Sequence, residues 1–138
     1  MKLSLEKNLF KYGYHDTTIS RIVVSDHQIK FIFDEGIYEL CDNGNESSLT
    51  GPCSISILFN DDTNNIFDSV VLMKVSKKKS IFMADAEQFF KKEGFDNYGV
   101  SDVYFSRFNN TLLFDVGKKN FRLLMYISNC IDLLFEKN

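Results

Sequence analysis

The sequence has few of the residues that break up a chain and no stretch that could cross a membrane. It contains one proline, seven glycines and no tryptophan, which excludes collagen-like and proline-rich linker architectures. No run approaches the ~20 apolar residues of a membrane span, and the first residues lack the uninterrupted apolar core of a signal peptide. We therefore expect a cytoplasmic protein without a membrane partner.

Motifs that carry common chemistries are missing as well. There is no G-x-x-x-x-G-K-[ST] phosphate loop, no G-x-G-x-x-G turn and no G-x-S-x-G nucleophile elbow. The cysteines Cys41, Cys53 and Cys130 form no C-x-x-C pair, so they predict neither a zinc site nor a disulfide framework. Cys53 and Cys130 lie in apolar patterns typical of small buried side chains. We expect no metal, no cofactor and no enzymatic activity.

What the sequence does contain is typical of one globular β-rich domain. Its 138 residues are 44% hydrophobic and 14% aromatic, with fourteen Phe and six Tyr that favour strands. A chain of this length can bury a sizeable core without disulfides or metal ions. We interpret residues 1–138 as a single domain.

Alternation of apolar and polar residues predicts most of the strands. TTISRIVVS and QIKFIFD indicate a hairpin with Asp26 and His27 in a two-residue turn. CDNGNESSLTGP, 41–52, is typical of a loop. In the next segment the alternation predicts that Cys53, Ile55, Ile57 and Phe59 point inward and that Ser54, Ser56 and Asn60 point outward.

Only one segment gives a convincing helix signal. In 84–93, acids lie in the first turn, lysines in the last, and Gly94 follows. The segment 120–136 fits a strand or a helix; the preceding hairpins favour strands broken near Ser128 and Asn129. The predicted fold class is therefore α+β and predominantly antiparallel β: a sandwich or strongly bent sheet of about nine strands with one short helix near 84–93.

Charge is distributed unevenly along the chain. The net charge is only −3, yet no lysine or arginine occurs between Lys30 and Lys74. The acids in this window are Asp34, Glu35, Glu39, Asp42, Glu46, Asp61, Asp62 and Asp68. If they are neighbours in space, they form a negative face that repels nucleic acid and attracts basic proteins. The basic turn Lys77, Lys78 and Lys79 is too small to predict a nucleic-acid site.

The doublet His15-Asp16 resembles a metal or acid–base signature. A His-Asp metal site needs further ligands on several helices, whereas the surroundings here read as β and the only other histidine is His27. We interpret the doublet as structural, with Asp16 accepting backbone N–H bonds where a strand begins and His15 bonding a neighbouring strand or loop. His27, in a turn, is expected to be exposed.

The segment YGYHDTTISRIVVSDHQIKFIFDEGIYEL, residues 12–40, resembles a pattern found in small bacterial β-rich proteins. It comprises a His-Asp doublet, an isoleucine-rich strand, a turn, an alternating apolar strand and an acid-Gly turn. Some proteins with this pattern resemble immunity proteins of polymorphic toxin systems. The resemblance implies a protein that binds and neutralises a cognate toxin, and many such toxins are basic nucleases.

Two functional hypotheses follow, with a homodimer through exposed edge strands as a further possibility. The first is a non-enzymatic protein-binding module, immunity-like, that contacts another protein, such as a basic toxin. Its acidic surface would comprise Asp34, Glu35, Glu39, Asp42, Asp61 and Asp62. The second is a small-ligand-binding protein or minor enzyme with a pocket between the sheet and the 84–93 helix, near His15 or Cys53.

Overall fold

A computed structural model describes residues 2–60, 62, 65–78, 80–92, 97–118 and 121–138, with side chains for all of these except 2–4 and 92. It has two α-helices, two 3₁₀ helices and thirteen strands in this part of the chain. The helices are α1 (Lys2–Leu9) and α2 (Ala86–Lys92), and the 3₁₀ helices are Ile66–Ser69 and Phe108–Asn110. The strands are β1 (Tyr12–Gly13), β2 (Thr18–Ile19), β3 (Arg21–Val24), β4 (Gln28–Phe33), β5 (Tyr38–Leu40), β6 (Glu46–Leu49), β7 (Cys53–Leu58), β8 (Val70–Ser76), β9 (Ile81–Ala84), β10 (Tyr98–Ser106), β11 (Thr111–Lys118), β12 (Phe121–Ile127) and β13 (Asp132–Lys137).

The strands form three antiparallel sheets. A six-stranded sheet has the order β2-β10-β11-β12-β8-β9, a four-stranded sheet β13-β7-β4-β3, and a three-stranded sheet β1-β5-β6. The predicted, predominantly antiparallel β class is confirmed, but the described residues form two α-helices where one was expected. The expectation of one sandwich or bent sheet with about nine strands is wrong, because the described part of the chain forms thirteen strands in three sheets.

The core lies between the six-stranded and four-stranded sheets. Phe31 of β4 stacks on Phe114 of β11 with ring centroids 4.4 Å apart. Alternate residues of both strands join this core, as the period of two predicts. On β4 they are Ile29, Phe31 and Phe33, and on β11 they are Leu112, Phe114 and Val116.

Several predicted local structures are confirmed. β3 and β4 form the expected hairpin, closed by a 3.0 Å hydrogen bond from Ser25 N–H to the Gln28 carbonyl. The ambiguous C-terminal segment is two strands, β12 and β13, separated at Ser128 and Asn129. Asn129 has a φ of 62°, a left-handed conformation that asparagine tolerates better than most residues and that ends the strand.

Ser54 and Ser56 alternate with the core residues Ile55 and Ile57 and so lie on the opposite face of β7, as predicted, yet both are buried. β7 is a central strand of the four-stranded sheet, with β4 on one side and β13 on the other. Lys30 and Leu134 are the cross-strand neighbours of Ser56, and these longer side chains flank the small serine. A small residue on a central strand is therefore shielded from solvent even on the face of the sheet that points away from the core.

Among the short elements that escaped prediction are one strand and one helix. β6 lies within the segment expected to be a loop, and α1 precedes the first strand. Helix α1 packs through Leu5 and Leu9, which are fully buried, and the Tyr14 hydroxyl donates a 2.7 Å hydrogen bond to the Leu9 carbonyl. These contacts with the rest of the domain stabilise a helix whose own sequence pattern is weak.

Helix α2 confirms the predicted helix over a shorter range. It spans Ala86–Lys92, whereas Ala84 belongs to β9. The Asp85 carboxylate accepts a 3.0 Å hydrogen bond from Gln88 N–H, which satisfies one of the free donors at the start of the helix.

Candidate functional site

Most of the predicted acids lie at one end of the four-stranded sheet. Asp34 and Glu35 form the turn that follows β4, and Phe33 pairs with Cys53 at the start of β7. The turn is held by hydrogen bonds from Gly36 N–H to the Phe33 carbonyl (3.1 Å) and from Asp34 N–H to Ser20 Oγ (3.1 Å). Both carboxylates are exposed.

The three-stranded sheet attaches to the same end and carries three more acids. Glu39 lies on β5, Asp42 in the loop after it, and Glu46 at the start of β6. Lys137 Nζ is 3.9 Å from Glu39 Oε1, and Lys137 pairs with Cys53 across β13 and β7. We refer to Asp34, Glu35, Glu39, Asp42 and Glu46 as the acidic end.

The structure separates Asp62 from the acidic end. Asp62 follows β7, whose last residue Leu58 pairs with Gln28 at the opposite end of β4 from Phe33. The two ends of this strand pair are roughly 17 Å apart at about 3.4 Å per residue. Asp61, also predicted as a site residue, lies outside the described residues. The acid-only window therefore does not form one continuous face.

A shallow groove of about 390 Å³ opens beside the acidic end. Its apolar lining comes from Phe10, Tyr12, Leu40 and Cys41, and its charged lining from Lys11, Glu39 and Asp42. Phe10 is 44% exposed. Tyr12 is held by stacking on Phe135 at 4.3 Å, and burial together with the Glu39 charge raises the pKa of its hydroxyl.

Sequence reasoning missed Phe10 because α1 was not recognised. The Leu5 and Leu9 spacing of four residues is a signal that could have found the helix. Phe10 follows directly after α1, and its N–H bonds the Glu6 carbonyl at 3.1 Å. The helix therefore presents Phe10 beside the groove.

His15 and Asp16 hold a turn against β10. His15 Nδ1 is 2.6 Å from the Ser101 carbonyl, which confirms the expected bond to a neighbouring strand. That hydrogen bond and the nearby Asp16 carboxylate, with His15 Nε2 3.3 Å from Asp16 Oδ2, raise the pKa of the exposed imidazole. Asp16 contributes to the turn through its backbone, which has a φ of 60° and whose N–H donates a 3.0 Å hydrogen bond to the Val100 carbonyl. Among the described residues, no backbone N–H donates to its carboxylate, contrary to the predicted role.

The cysteines are free thiols in different environments. Cys53 and Cys130 are buried, as predicted, and Cys41 is exposed. Burial raises the pKa of the Cys130 thiol to about 12 and also raises that of Cys53, whose Sγ lies 3.5 Å from Thr50 Oγ1. Raised pKa values make both buried thiols poor nucleophiles.

A second cleft, of about 320 Å³, lies between β3, the first 3₁₀ helix and α2. Ile22, Ile66 and Phe90 contribute apolar surface, and Asp26 and Lys91 contribute charge. The cleft lies on the α2 side of the sheet, as the small-ligand hypothesis expects, but its lining includes neither His15 nor Cys53.

His27, which follows Asp26 of this cleft, is less exposed than predicted. It is only half-exposed, and its Nδ1 is buried without a hydrogen-bond partner among the described residues. The residue lies in the β3–β4 turn, where its carbonyl accepts a 2.9 Å hydrogen bond from Phe59 N–H.

Within the described ranges, no three His, Cys, Asp or Glu side chains are grouped so that they could hold a metal ion. None of the described helices is long and apolar enough to cross a membrane. No protein-family model matches the chain, and comparisons with curated proteins and with solved structures found no match either.

Proposed function

We propose that this protein is a non-enzymatic binding module that neutralises a basic protein partner, as an immunity protein does, through the acidic end. The observation that carries the proposal is a groove lined by Glu39 and Asp42, with Asp34, Glu35 and Glu46 in the turn and strand on either side of β5. Asp34, Glu35, Asp42 and Glu46 are exposed and Glu39 is half-buried. Such a grouping attracts a basic protein and raises its association rate.

The groove supports a protein partner in particular. Binding energy at protein interfaces is concentrated in a few central side chains, many of them aromatic, while surrounding charges guide the encounter. Phe10 is a partly exposed aromatic side chain beside Glu39 and Asp42. Lys11 also lines the groove, and Lys137 lies 3.9 Å from Glu39.

The experiment compares two double charge reversals that change the net charge equally. Asp34→Lys with Glu35→Lys alters the acidic end, and Asp62→Lys with Asp68→Lys alters exposed acids near the other end of β7. The probe is the protein product of the gene adjacent to this one, purified and tested for direct binding and for growth inhibition in cells.

We expect the reversal at the acidic end to slow association on the order of tenfold at low salt and to abolish protection of the cells. The difference in association rate between this variant and the parent protein should be smaller at high salt, because ions screen exposed charges. Equal protection by the parent and the Asp34/Glu35 variant would overturn the assignment of the surface, as would loss of protection only in the Asp62/Asp68 variant.

The cleft beside α2 supports a second candidate, a small-ligand-binding protein. Its polar and apolar lining from Ile22, Asp26, Phe90 and Lys91 fits a small amphipathic molecule. A native mass spectrum of the protein purified from its own cells separates the two candidates. An added mass of ligand size favours the cleft, and a bound protein favours the acidic end.

A further inference from the structure

Strand β9 is an open edge of the six-stranded sheet. Among the described residues it pairs only with β8, and its sequence, IFMA, contains no charge, proline or bulge. Ile81, Phe82 and Met83 are 61%, 51% and 65% exposed. An apolar edge strand of this kind is a template for pairing with another chain.

The other edge strands are short, charged or covered. β1 and β2 have two residues each, β3 begins with Arg21, and β6 begins with Glu46. β13 ends in Glu136 and Lys137 and is contacted by α1. These are the features by which proteins prevent edge-to-edge association, and within the described ranges β9 shows neither a charge nor a covering element.

The hydrogen-bonding pattern of β8 and β9 identifies the groups at the open edge. Ser76 N–H donates a 3.0 Å hydrogen bond to the Ser80 carbonyl at the start of the hairpin. Along an antiparallel ladder, hydrogen-bonded pairs alternate with non-hydrogen-bonded pairs. The pairs Val75–Ile81 and Met73–Met83 are therefore non-hydrogen-bonded. The N–H and carbonyl groups of Ile81 and Met83 therefore point away from β8.

We propose that β9 pairs antiparallel with β9 of a second copy of this chain, about a twofold axis at Phe82. In this register Ile81 faces Met83 of the second copy and exchanges two backbone hydrogen bonds with it. Phe82 then faces Phe82 of the second copy in a non-hydrogen-bonded pair. The register satisfies the outward backbone groups and keeps each side chain on the same face of the joined sheet.

Charges on either side of β9 fit the same arrangement. Lys77 and Lys78 lie in the turn before the strand, Asp85 follows it, and all three are exposed. An antiparallel pair brings the basic turn of each copy beside Asp85 of the other. A parallel pair would instead bring like charges together.

The outer face of the sheet is also continuous across this junction. Val75 and Ile81 are cross-strand neighbours, as are Met73 and Met83. Pairing through β9 joins these apolar rows in the two copies into one surface. A second copy is thus complementary to the edge in backbone pattern, charge and apolar character.

Disulfide trapping tests the register. Variants are made with Cys41→Ser, so that the exposed native thiol cannot react. Facing residues of a non-hydrogen-bonded pair are close enough for a disulfide. We expect Phe82→Cys to give a crosslinked dimer under mild oxidation. Ile81→Cys and Val71→Cys should give little crosslinked dimer, because neither residue faces the same residue of the second copy.

Light scattering of the unmodified protein across a wide concentration range tests the dimer itself. Met83→Lys should weaken association roughly 100-fold, since it removes apolar contact and adds a charge at the junction. Tyr104→Lys, at another exposed position on β10, should have no effect. A parent protein that stays monomeric up to submillimolar concentration would overturn the proposal, as would equal crosslinking of Val71→Cys and Phe82→Cys. The dimer does not depend on the acidic end, so either proposal can fail alone.

Discussion

At the scale of single residues, the aromatic pair between the two larger sheets is the clearest determinant of stability. Phe31 and Phe114 are almost fully buried and come from strands far apart in sequence. The alternation in QIKFIFD identifies Phe31 as an inward residue, but not its partner. The pairing depends on how the two sheets pack, which no local pattern encodes.

Phe31→Ala should lower the free energy of unfolding by about 3–5 kcal/mol, because it removes a buried ring and leaves a cavity. Phe108→Ala is the matched control, since Phe108 is 82% exposed and its truncation should change stability by less than about 0.5 kcal/mol. Urea denaturation followed by circular dichroism measures both. Similar losses in the two variants would contradict the position of Phe31 in the core.

At the scale of elements, the turns between strands carry specific backbone requirements. Gly36 has a φ of 88° and packs against the backbone of Gly51, whereas Gly44 has a φ of 84° in open space. The sequence indicates a turn at both glycines. Only the structure distinguishes them, because the close approach at Gly36 involves a loop fifteen residues later.

Gly36→Ala should destabilise the protein more than Gly44→Ala. Each substitution costs about 1 kcal/mol for a left-handed conformation. At Gly36 the added Cβ would also lie 2.5 Å from the Gly51 carbonyl oxygen, so overpacking adds about 1–3 kcal/mol. Denaturation midpoints of the two variants test this difference, and equal midpoints would contradict the contact between the two loops.

Short elements explain most of the differences between the predicted and observed secondary structure. β6 and α1 lack a strong pattern of their own, and both are stabilised by neighbours: Tyr38 pairs with Leu49, and Tyr14 bonds the end of α1. Longer alternating strands such as β4 and β7 were predicted because the alternation of apolar and polar residues shows which face of the strand is buried.

At the scale of the whole molecule, burial divides the thiols into two classes. Cys41 is exposed in the loop after β5, and Cys53 and Cys130 lie in the core. The buried thiols have raised pKa values, so they remain protonated at neutral pH. Their burial also keeps reagents from reaching them. Their reactivity therefore reports opening of the domain.

We expect a thiol reagent at neutral pH to label Cys41 quickly and the other two cysteines only at the rate of unfolding. Cys41→Ser should remove the fast phase, and denaturant should expose both remaining thiols. A fast phase that persists in Cys41→Ser would mean that the region around Cys53 or Cys130 opens locally, contrary to a single cooperative core.

The sequence by itself determined the β-rich class, the long strands, helix α2 and the buried cysteines, because each depends on local periodicity and composition. Only the tertiary structure decided the division into three sheets, the burial of Ser54 and Ser56 and the separation of Asp62 from Asp34. These features depend on which strands become neighbours. Contacts between residues distant in sequence set that order, and the alternation within a single strand carries no information about its partner.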